Sequence, residues 1–321
     1  MRVVYWARLN LAREEVTEAL AGVDGVEIEV VENLTELAAA LPGAQALILY
    51  DAPPDSAREV RELLEAHGAT VRWMHFLTAG REGFEAAGLP RGVEITYPAG
   101  AVAPTVAEHA MTLLLALRRC VPAMLEAQRE RDWARQRVSD GAGTLEDGTM
   151  AIVGYGRIGR ELSRRAKAFG VHTVGLSRGA KACEHLDESH PLDALDSVLA
   201  RADFIVLAIA LTAQTHHLID TRRLGLCRPS ALLVNVARGG VVDQAALAEA
   251  LREGRLGGAG LDVVEPEPLP AADPLWEAPN MILSPHFAGG ASAASRRRLA
   301  QSAAGNLRRM LAGEALLGRV A

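Results

Sequence analysis

Lysine is almost absent from this chain of 321 residues, which contains 32 arginines but only two lysines, Lys167 and Lys181. Because arginine is so common, an arginine at any one position can stand there for compositional reasons alone. Aromatic residues make up 4% of the sequence, so the core is expected to consist mostly of alanine, valine and leucine. No domain is basic and the formal net charge is −6, which argues against nucleic acid as the main partner.

Cysteine is also scarce. The three cysteines, Cys120, Cys183 and Cys227, are odd in number and widely spaced, so the sequence predicts reduced thiols rather than a disulfide framework. There is no CxxC motif or cysteine–histidine cluster, and no metal site is predicted. No apolar run is long enough to cross a bilayer, and residues 1–6 read as a first strand rather than a signal peptide. We therefore expect a cytoplasmic protein without a membrane partner.

Apolar runs alternate with helical patterns along most of the chain, and the length suggests about two domains. The first series predicts strands at residues 3–6, 26–30, 46–50, 73–77 and 93–97, with helices at 12–21, 34–41 and 56–67. The second series predicts strands at 151–153, 173–176, 204–208, 232–236, 260–263 and 281–283. This alternation implies parallel sheets with helices on both faces, so we predict an α/β protein with two doubly wound sheets. The second series matches the two halves of a Rossmann sheet.

Three stretches fall outside this alternation. A helix predicted near residues 104–117 is apolar nearly all round, which favours burial between two bodies of the protein. Residues 118–148 are charged and irregular around Trp133, and we interpret them as an arm or loop. The last helix, at 291–311, comes after the final strand of the second series, so no further strand of that sheet remains for it to pack on. It could therefore pack against the first domain.

The most informative motif is Gly-x-Gly-x-x-Gly, formed by Gly154, Gly156 and Gly159. A strand precedes the motif and an amphipathic segment, 160–169, follows it. Gly154 allows a tight turn, Gly156 lets the backbone approach a pyrophosphate, and Gly159 lets the helix pack on the strand. The phosphates then lie at the helix N-terminus, where free N–H groups and the helix dipole favour negative charge. The order of strand, glycine turn and helix predicts a dinucleotide site.

The end of the next strand indicates which dinucleotide is bound. Residues 175–181 read Gly-Leu-Ser-Arg-Gly-Ala-Lys and contain no carboxylate, whereas NAD-binding sheets hold the ribose 2′-hydroxyl with an acidic residue in this region. A 2′-phosphate would be repelled by an acid and held by Ser177 and Arg178, with Lys181 available to help. The sequence therefore favours NADP over NAD, and the alternative of a solvated loop arginine stays open.

Polar side chains follow the last three strands of the second series, where the carboxyl ends of parallel strands form the ligand crevice. They are Arg238, then Glu265 and Glu267, then His286. A 2-oxo acid needs a cation for its carboxylate, and arginine can bind one bidentately. Its carbonyl oxygen needs a proton when hydride arrives, which histidine can supply near neutral pH. A carboxylate beside the histidine would favour its charged form, but spacing alone does not separate Glu265 from Glu267.

In this order, the segments at 154–159, 234–243, 260–268 and 283–290 resemble those of the D-isomer-specific 2-hydroxyacid dehydrogenase family. This family includes glyoxylate and hydroxypyruvate reductases and phosphoglycerate dehydrogenase. Residues 105–109 are also similar to its hinge helix. The resemblance implies a flavodoxin-like substrate domain at residues 1–99 and 288–321 and a Rossmann dinucleotide-binding domain at 100–287. It also implies a homodimer formed through the nucleotide domains and an arm like residues 118–148.

The resemblance implies a role for each of several residues. Arg238 would bind the substrate carboxylate and carbonyl, His286 would donate and accept the proton, and Glu267 would be the partner of His286. The backbone amides of Ala79 and Gly80 would meet the substrate carboxylate. The cofactor would be bound at the glycine motif and at further positions: Arg157, Ile158, Ala210, Thr215, Val236, Ala237, Gly289, and Asp262, which would hold the nicotinamide carboxamide. The chain departs from the family pattern at Val102, where many relatives carry asparagine.

We therefore predict an oxidoreductase that transfers hydride between NADP(H), or NAD(H) as the second choice, and a small 2-oxo or 2-hydroxy acid. Glyoxylate and hydroxypyruvate are the expected substrates. Phosphoglycerate dehydrogenase is an alternative, although the chain ends soon after its last helix, without the regulatory extension of some of those enzymes. Another alternative is a dinucleotide-sensing scaffold like the corepressors of this fold, which resemble the enzymes even at catalytic positions. A formate or phosphite dehydrogenase fits less well, because formate offers no carboxylate-bearing ketone to orient.

Overall fold

The computed structural model describes residues 1–98, 100–179, 183–290 and 292–320. The chain divides into two compact units, one formed by Met1–Val102 with Gly290–Ala321 and the other by Ala103–Gly289. Among the described residues, no helix combines the length and the apolar character that a membrane span requires.

The first unit is built on a five-stranded parallel sheet. Its strands are β1 (Arg2–Trp6), β2 (Glu27–Val31), β3 (Ala46–Leu49), β4 (Trp73–Phe76) and β5 (Glu94–Thr96). The helices between them are α1 (Arg13–Ala21), α2 (Leu34–Ala40), α3 (Pro54–His67) and the unpredicted α4 (Glu82–Ala87). The strands lie in the order β2-β1-β3-β4-β5 and all pairs are parallel. This is the flavodoxin-like order, and the five predicted strands are confirmed.

Both faces of this sheet are buried. Val4 of β1 belongs to a core layer that includes residues of α2 and α3, whereas the next residue along the strand, Tyr5, belongs to the layer of α1. Because helices cover both faces, the strands are nearly continuous apolar runs instead of alternating ones. The C-terminal helix, Ala293–Leu311, belongs to this unit and packs beside α1, so the expected return of the last helix is confirmed.

The second unit is built on a seven-stranded parallel sheet. Its strands are β6 (Thr149–Val153), β7 (His172–Ser177), β8 (Glu188–Pro191), β9 (Phe204–Leu207), β10 (Leu232–Asn235), β11 (Gly258–Leu261) and β12 (Met281–Leu283). Its helices are α5 (Ala103–Arg118), α6 (Val121–Glu130), α7 (Arg135–Gly141), α8 (Arg157–Lys167), α9 (Leu195–Leu199), α10 (Thr221–Leu224) and α11 (Gln244–Arg252). The strand order is β12-β11-β10-β9-β6-β7-β8. It is the Rossmann order with β12 added at one edge.

Strand β8 corrects the expectation of six strands. It lies at the edge of the sheet beside β7, and none of its four residues is buried. Glu188 of β8 accepts hydrogen bonds from Arg201 at 2.9 Å, from His172 at 2.8 Å and from His190 at 2.8 Å. Polar side-chain contacts therefore help to hold β8 at the edge of the sheet. The strand was not predicted because it has no apolar run in the sequence.

The arm at residues 118–148 also differs from its interpretation as irregular, because most of it forms α6 and α7. Only Ala127 of α6 is buried, and α7 buries no residue. Without a buried apolar face, the period of 3.6 residues that identifies a helix in sequence is weak. Trp133, in the connection between the two helices, is 89% exposed.

Candidate active site

The glycine motif forms the turn between β6 and α8. Gly154 has a φ of +96°, and a Cβ atom there would lie 2.5 Å from the carbonyl oxygen of Ala208. At Gly159 a Cβ would lie 2.8 Å from the Gly154 carbonyl oxygen and 3.1 Å from Cγ2 of Ile152. At Gly156, by contrast, a Cβ would meet nothing within 4 Å. The first and third glycines are thus required by the turn and by helix packing, while the second leaves its outer side open.

The N-terminus of α8 presents backbone N–H groups that have no acceptor among the described residues. Gly156 is the N-cap residue, so the helix begins at Arg157, three residues before the amphipathic segment predicted from sequence. The backbone N–H groups of Arg157 and Ile158 have no acceptor in the described part of the chain. Free N–H groups at a helix start, beside a glycine with an open outer side, suit a pyrophosphate. The residues present therefore fit a dinucleotide.

The residues predicted to read the ribose lie at the carboxyl end of β7. Ser177 is the last residue of the strand and is paired in register with Pro191 of β8. Ser177 is partly exposed and Arg178 is exposed. Residues 177–179 contain no carboxylate that would repel a 2′-phosphate. Lys181 lies outside the described residues.

The loop after β9 contains two of the predicted cofactor residues. The Thr215 side chain is buried, and its hydroxyl donates a hydrogen bond of 2.7 Å to the carbonyl oxygen of Ala210. The same hydroxyl accepts one of 2.7 Å from the backbone N–H of Thr212. Thr215 therefore closes the loop on itself and fixes the backbone of Ala210, which is exposed.

Asn235, at the end of β10, organises the turn that presents Arg238. The Asn235 amide accepts a hydrogen bond of 3.0 Å from the Ala237 N–H and donates one of 2.9 Å to the Arg238 carbonyl oxygen. Val236 and Ala237 are buried, whereas Arg238 is partly exposed. Asn235 is not among the predicted site residues, although an asparagine at a strand end is a common signal for such a turn.

The Arg238 turn lies directly against the segment that contains the two candidate glutamates. A Cβ atom at Gly239 would be 2.1 Å from the carbonyl carbon of Val264, so only glycine permits this approach. Gln244, at the start of α11, accepts a hydrogen bond of 3.0 Å from the Glu265 N–H and donates one of 2.9 Å to Asp273. These contacts hold the Arg238 turn and the glutamate segment in a fixed arrangement.

Asp262 is the centre of a buried hydrogen-bond network. Its carboxylate accepts hydrogen bonds from the Ser284 hydroxyl at 2.7 Å and from the Ala288 N–H at 3.2 Å, and His109 Nε2 lies 3.4 Å away. Burial raises the pKa of Asp262, but the His109 and Ser284 contacts outweigh it and hold this pKa below its ordinary value. The Asp262 carbonyl oxygen also accepts a hydrogen bond of 2.8 Å from the His286 N–H. Asp262 therefore positions the loop that carries His286.

The role of His109 was not predicted, although the resemblance included the segment that contains it. Its Nε2 atom is 2.9 Å from the Ser284 hydroxyl. Its ring packs edge-on against Phe287, with ring centres 4.8 Å apart. A histidine on an apolar helix gives no sequence signal for its partner, because that partner lies about 175 residues away in the chain.

His286 and Glu267 form a direct pair, with 2.8 Å between His286 Nδ1 and Glu267 Oε2. The hydrogen bond to Glu267 raises the pKa of His286 above its ordinary value, against opposing effects of burial and of the Arg238 charge. For Glu267, burial raises the pKa, but the contact with His286 and the charge of Arg238 lower it by more. The pKa of Glu267 therefore lies below its ordinary value. The geometry therefore favours an imidazolium–carboxylate pair within the field of Arg238. The backbone of His286 is in the left-handed region, with a φ of +49°.

Glu265, the carboxylate that spacing alone did not separate from Glu267, faces a different group. Its Oε2 atom lies 3.8 Å from Nε2 of His216, and His217 stacks on His216 with 3.9 Å between ring centres. These three residues are the one set of possible metal ligands found among the described residues. The two rings are only 21° from parallel, whereas one ion must lie in the plane of both, so this arrangement does not match a metal site.

A cavity of about 630 Å³ opens beside the pair. Its lining combines the polar groups Asp262, Glu267 and His286 with the apolar Leu269 and Trp276. Few polar groups in a mostly apolar cavity are typical of a small-molecule site. The three polar residues are among the predicted site residues, whereas Leu269 is not.

Ala79 and Gly80 lie in the first unit, after β4. The Thr78 hydroxyl donates a hydrogen bond of 2.8 Å to the Gly80 carbonyl oxygen. The N–H groups of Ala79 and Gly80 have no acceptor among the residues that the structure describes. The loop thus offers two free amide donors, as the binding of a carboxylate requires.

Known proteins are similar to this chain in sequence and in fold. The family model of the NAD binding domain of D-isomer specific 2-hydroxyacid dehydrogenases matches residues 111–288, more than half of the chain. The chain belongs to the D-isomer specific 2-hydroxyacid dehydrogenase family. The predictions of this family, of an NAD(P)-dependent oxidoreductase and of two parallel-sheet units are confirmed.

Individual members of the family are similar over most of the chain. A glyoxylate reductase from Pyrococcus furiosus is 38% identical over 229 residues, which are 70% of this chain and 68% of that protein. A glyoxylate/hydroxypyruvate reductase B from Pectobacterium carotovorum is 36% identical over 254 residues, 77% of this chain and 78% of that protein. An NADPH-dependent glyoxylate/hydroxypyruvate reductase from Sinorhizobium meliloti, solved with NADP and malonate, has a TM-score of 0.78 at 28% identity, covering 100% of this chain and 96% of the other.

Proposed function

We propose that this dehydrogenase reduces glyoxylate or hydroxypyruvate with NADPH. The observation that carries the proposal is the hydrogen-bonded pair of His286 and Glu267 beside Arg238, at the same sheet edge as the glycine turn. An acid–base pair next to a fixed cation is what the reduction of a 2-oxo acid needs. The two glyoxylate-reducing relatives support this choice of substrate, since they cover two thirds or more of the chain.

Each residue of the site has a proposed task. The guanidinium of Arg238 binds the carboxylate and carbonyl of the 2-oxo acid, and the amides of Ala79 and Gly80 bind the carboxylate. The nicotinamide, when bound, supplies hydride to the keto carbon. His286 donates its proton to the carbonyl oxygen and in the reverse reaction accepts it from the hydroxyl. Glu267 keeps His286 protonated and orients its ring.

The proposed cofactor site follows the carboxyl edge of the second sheet. The pyrophosphate is held by the α8 N-terminus at Arg157 and Ile158, and the ribose 2′-phosphate by Ser177 and Arg178. The remaining contacts are proposed at Gly154, Gly156, Gly159, Ala210, Thr215, Val236, Ala237, Gly289 and, for the carboxamide, Asp262. The relative solved with NADP supports the choice of phosphorylated cofactor.

We also propose a substrate domain at residues 1–99 and 288–321 and a dinucleotide-binding domain at 100–287. The exposed Trp133 and the small buried surface of α6 and α7 support an arm that contacts a second copy of the chain in a homodimer. Cytoplasmic location is supported by Cys120 and the buried Cys227, neither of which forms a disulfide.

The test follows absorbance of NADPH and NADH in parallel with a panel of 2-oxo acids. We expect fast loss of NADPH with glyoxylate or hydroxypyruvate, and Arg178→Ala should raise the KM for NADPH while leaving that for NADH unchanged. A preference for NADH would retain the reductase and overturn the 2′-phosphate assignment. Tight cofactor binding without turnover of any acid would instead indicate a dinucleotide-sensing scaffold.

A further inference from the structure

The carboxyl edge of the first sheet has a topological switch point between β1 and β3. These strands are neighbours, but the helices that follow them lie on opposite faces, since α1 belongs to one core layer and α3 to the other. In open α/β sheets the ends of two such strands form a crevice that binds ligands. Arg8 stands at this point, two residues after β1.

Arg8 is held in place but keeps unused donors. Its Nη2 atom donates a hydrogen bond of 2.8 Å to the carbonyl oxygen of Asp51, just after β3. Its guanidinium carbon lies 5.9 Å from the centre of the Trp6 ring. The Nε atom is buried without a hydrogen-bond partner in the described residues. No carboxylate oxygen comes within 4.0 Å of Arg8 anywhere in the described part of the chain.

Two other charged side chains at this edge, Arg81 and Asp51, have partners of their own. Arg81, after β4, pairs with Glu85 at 2.7 Å. The Asp51 carboxylate accepts a hydrogen bond of 3.1 Å from the Gly83 N–H and forms no ion pair with Arg8 within 4.0 Å. Arg8 is therefore a fixed, partly exposed cation that forms no ion pair among the described residues.

Hydrogen bonds connect Arg8 to the loop that offers free amides. The Asp51 N–H donates to the Thr78 hydroxyl at 3.2 Å, and that hydroxyl donates to the Gly80 carbonyl oxygen at 2.8 Å. The Arg8 guanidinium reaches the end of β3, and β3 is the direct neighbour of β4. The guanidinium and the loop at Ala79 and Gly80 therefore lie at the ends of neighbouring strands, and such strands are about 4.8 Å apart.

We infer that Arg8 recognises a second carboxylate at the far end of the substrate, so that four-carbon dicarboxylic 2-oxo acids are preferred over neutral acids of the same length. This inference rests on the proposed function, in which the Ala79 and Gly80 amides hold the first carboxylate. The carboxyl carbons of such a diacid are roughly 4 Å apart, from C–C bonds near 1.5 Å, which is close to the spacing of about 4.8 Å between neighbouring strands such as β3 and β4. The planar guanidinium also matches a carboxylate in shape.

A carboxylate fits better than a phosphate because one cation without an ion pair among the described residues faces one negative charge. A phosphate monoester carries about −1.5 to −2 at neutral pH. The second cation at this edge, Arg81, is already neutralised by Glu85. The geometry therefore selects a carboxylate, and a phosphorylated substrate becomes an outcome of the test.

The experiment compares oxaloacetate with 2-oxobutyrate, in which a methyl group replaces the distal carboxylate. The wild type should show a kcat/KM for oxaloacetate roughly 10- to 100-fold higher than for 2-oxobutyrate, the range expected for a hydrogen-bonded charge pair. Arg8→Met should bring this ratio close to one, mainly through the KM for oxaloacetate, and Arg8→Lys should keep part of it. Arg91→Met removes an exposed arginine that precedes β5, at the opposite edge of the sheet, and should leave the ratio unchanged.

The possible results separate the inference from the proposed function. An active wild type with equal kcat/KM for the two acids would overturn the inference. An equal loss of kcat/KM for both acids in Arg8→Met would also overturn it, because it would mean that Arg8 only holds the Asp51 loop. A higher kcat/KM for phosphohydroxypyruvate than for oxaloacetate would overturn the choice of carboxylate. A wild-type enzyme that fails to oxidise NADPH with any of the 2-oxo acids tested would instead contradict the proposed function.

Discussion

Replacing Glu267 with glutamine tests how the site keeps its acid protonated. Glutamine retains an acceptor for His286 Nδ1, so the ring orientation is preserved while the negative charge is lost. Because Glu267 raises the pKa of His286, the substitution should move the alkaline limb of the kcat/KM profile for 2-oxo acid reduction to lower pH. Below the limb of the variant, both enzymes are protonated and should have similar kcat/KM.

The size of the effect is limited by solvent. The side chains of His286 and Glu267 are 46% and 38% exposed, and solvent-screened pairs of this kind are worth up to about 1 kcal/mol. Above the limb, kcat/KM is proportional to the protonated fraction of His286, so the variant should be slower by on the order of fivefold. The reverse reaction, oxidation of the 2-hydroxy acid, needs neutral His286 and should become faster in the variant at acidic pH.

The assay is the pH dependence of kcat/KM in both directions, by absorbance of the nicotinamide cofactor. Glu265→Gln is the matched control, because it removes the same charge two residues away, where the carboxylate faces His216 instead of His286. Its pH profile should match that of the wild type. A loss in Glu267→Gln that is the same at every pH and in both directions would refute the argument, since it would mean that Glu267 only orients the ring.

Three further predictions follow from the structure. His286→Asn should lower kcat by about 10²- to 10⁴-fold, the usual contribution of a general acid, with little change in cofactor affinity; full turnover would remove His286 from the mechanism. Gly154→Ala should weaken NADPH binding more than tenfold and destabilise the fold by about 1–3 kcal/mol, because φ is +96° there, whereas Gly305→Ala, with open space around its Cβ, should do neither. Glu188→Gln should lower the free energy of urea unfolding at pH 7 by about 1 kcal/mol. Arg201 and the neighbouring histidines depress the pKa of Glu188, so the stability they supply is present above the ordinary pKa of 4.5 and is lost as the pH falls; a difference from wild type that persists in strong acid would contradict this.

The sequence predicted the parts of the fold that depend on apolar burial. Most of the predicted strands are buried apolar runs, which made them recognisable, whereas the edge strands β2 and β12 are only partly buried. Glu188 shows where this reasoning ends, because β8 has no buried residue and is held by polar side-chain contacts such as that between Glu188 and Arg201. The helices of the arm were missed for the same reason, because they bury almost no apolar surface. Ala127 is the single buried residue of α6.

The candidate site divides in a similar way. The places of Arg238 and His286 after strands and the chemistry of a 2-oxo acid made both residues candidates, and the resemblance to the family gave their expected roles. Spacing alone did not separate Glu267 from Glu265, because both follow the same strand and both precede a proline. The resemblance to the family selected Glu267. The contact of His109 with Asp262 was not predictable either, since it joins a helix to strand ends that are distant in sequence.

The left-handed backbone at His286 also limits which sequences can evolve at this position. Only a few residue types other than glycine adopt a φ near +49° readily, chiefly asparagine, aspartate and histidine. Histidine is the one of these that can act as a cationic acid near neutral pH. In a library that contains every residue type at position 286, the variants with β-branched residues should therefore give less folded protein, even when no selection for catalysis is applied. An engineered lysine or tyrosine acid at this position would begin with a conformational cost of about 1–2 kcal/mol, so a new proton donor is easier to introduce from a neighbouring loop than at residue 286 itself.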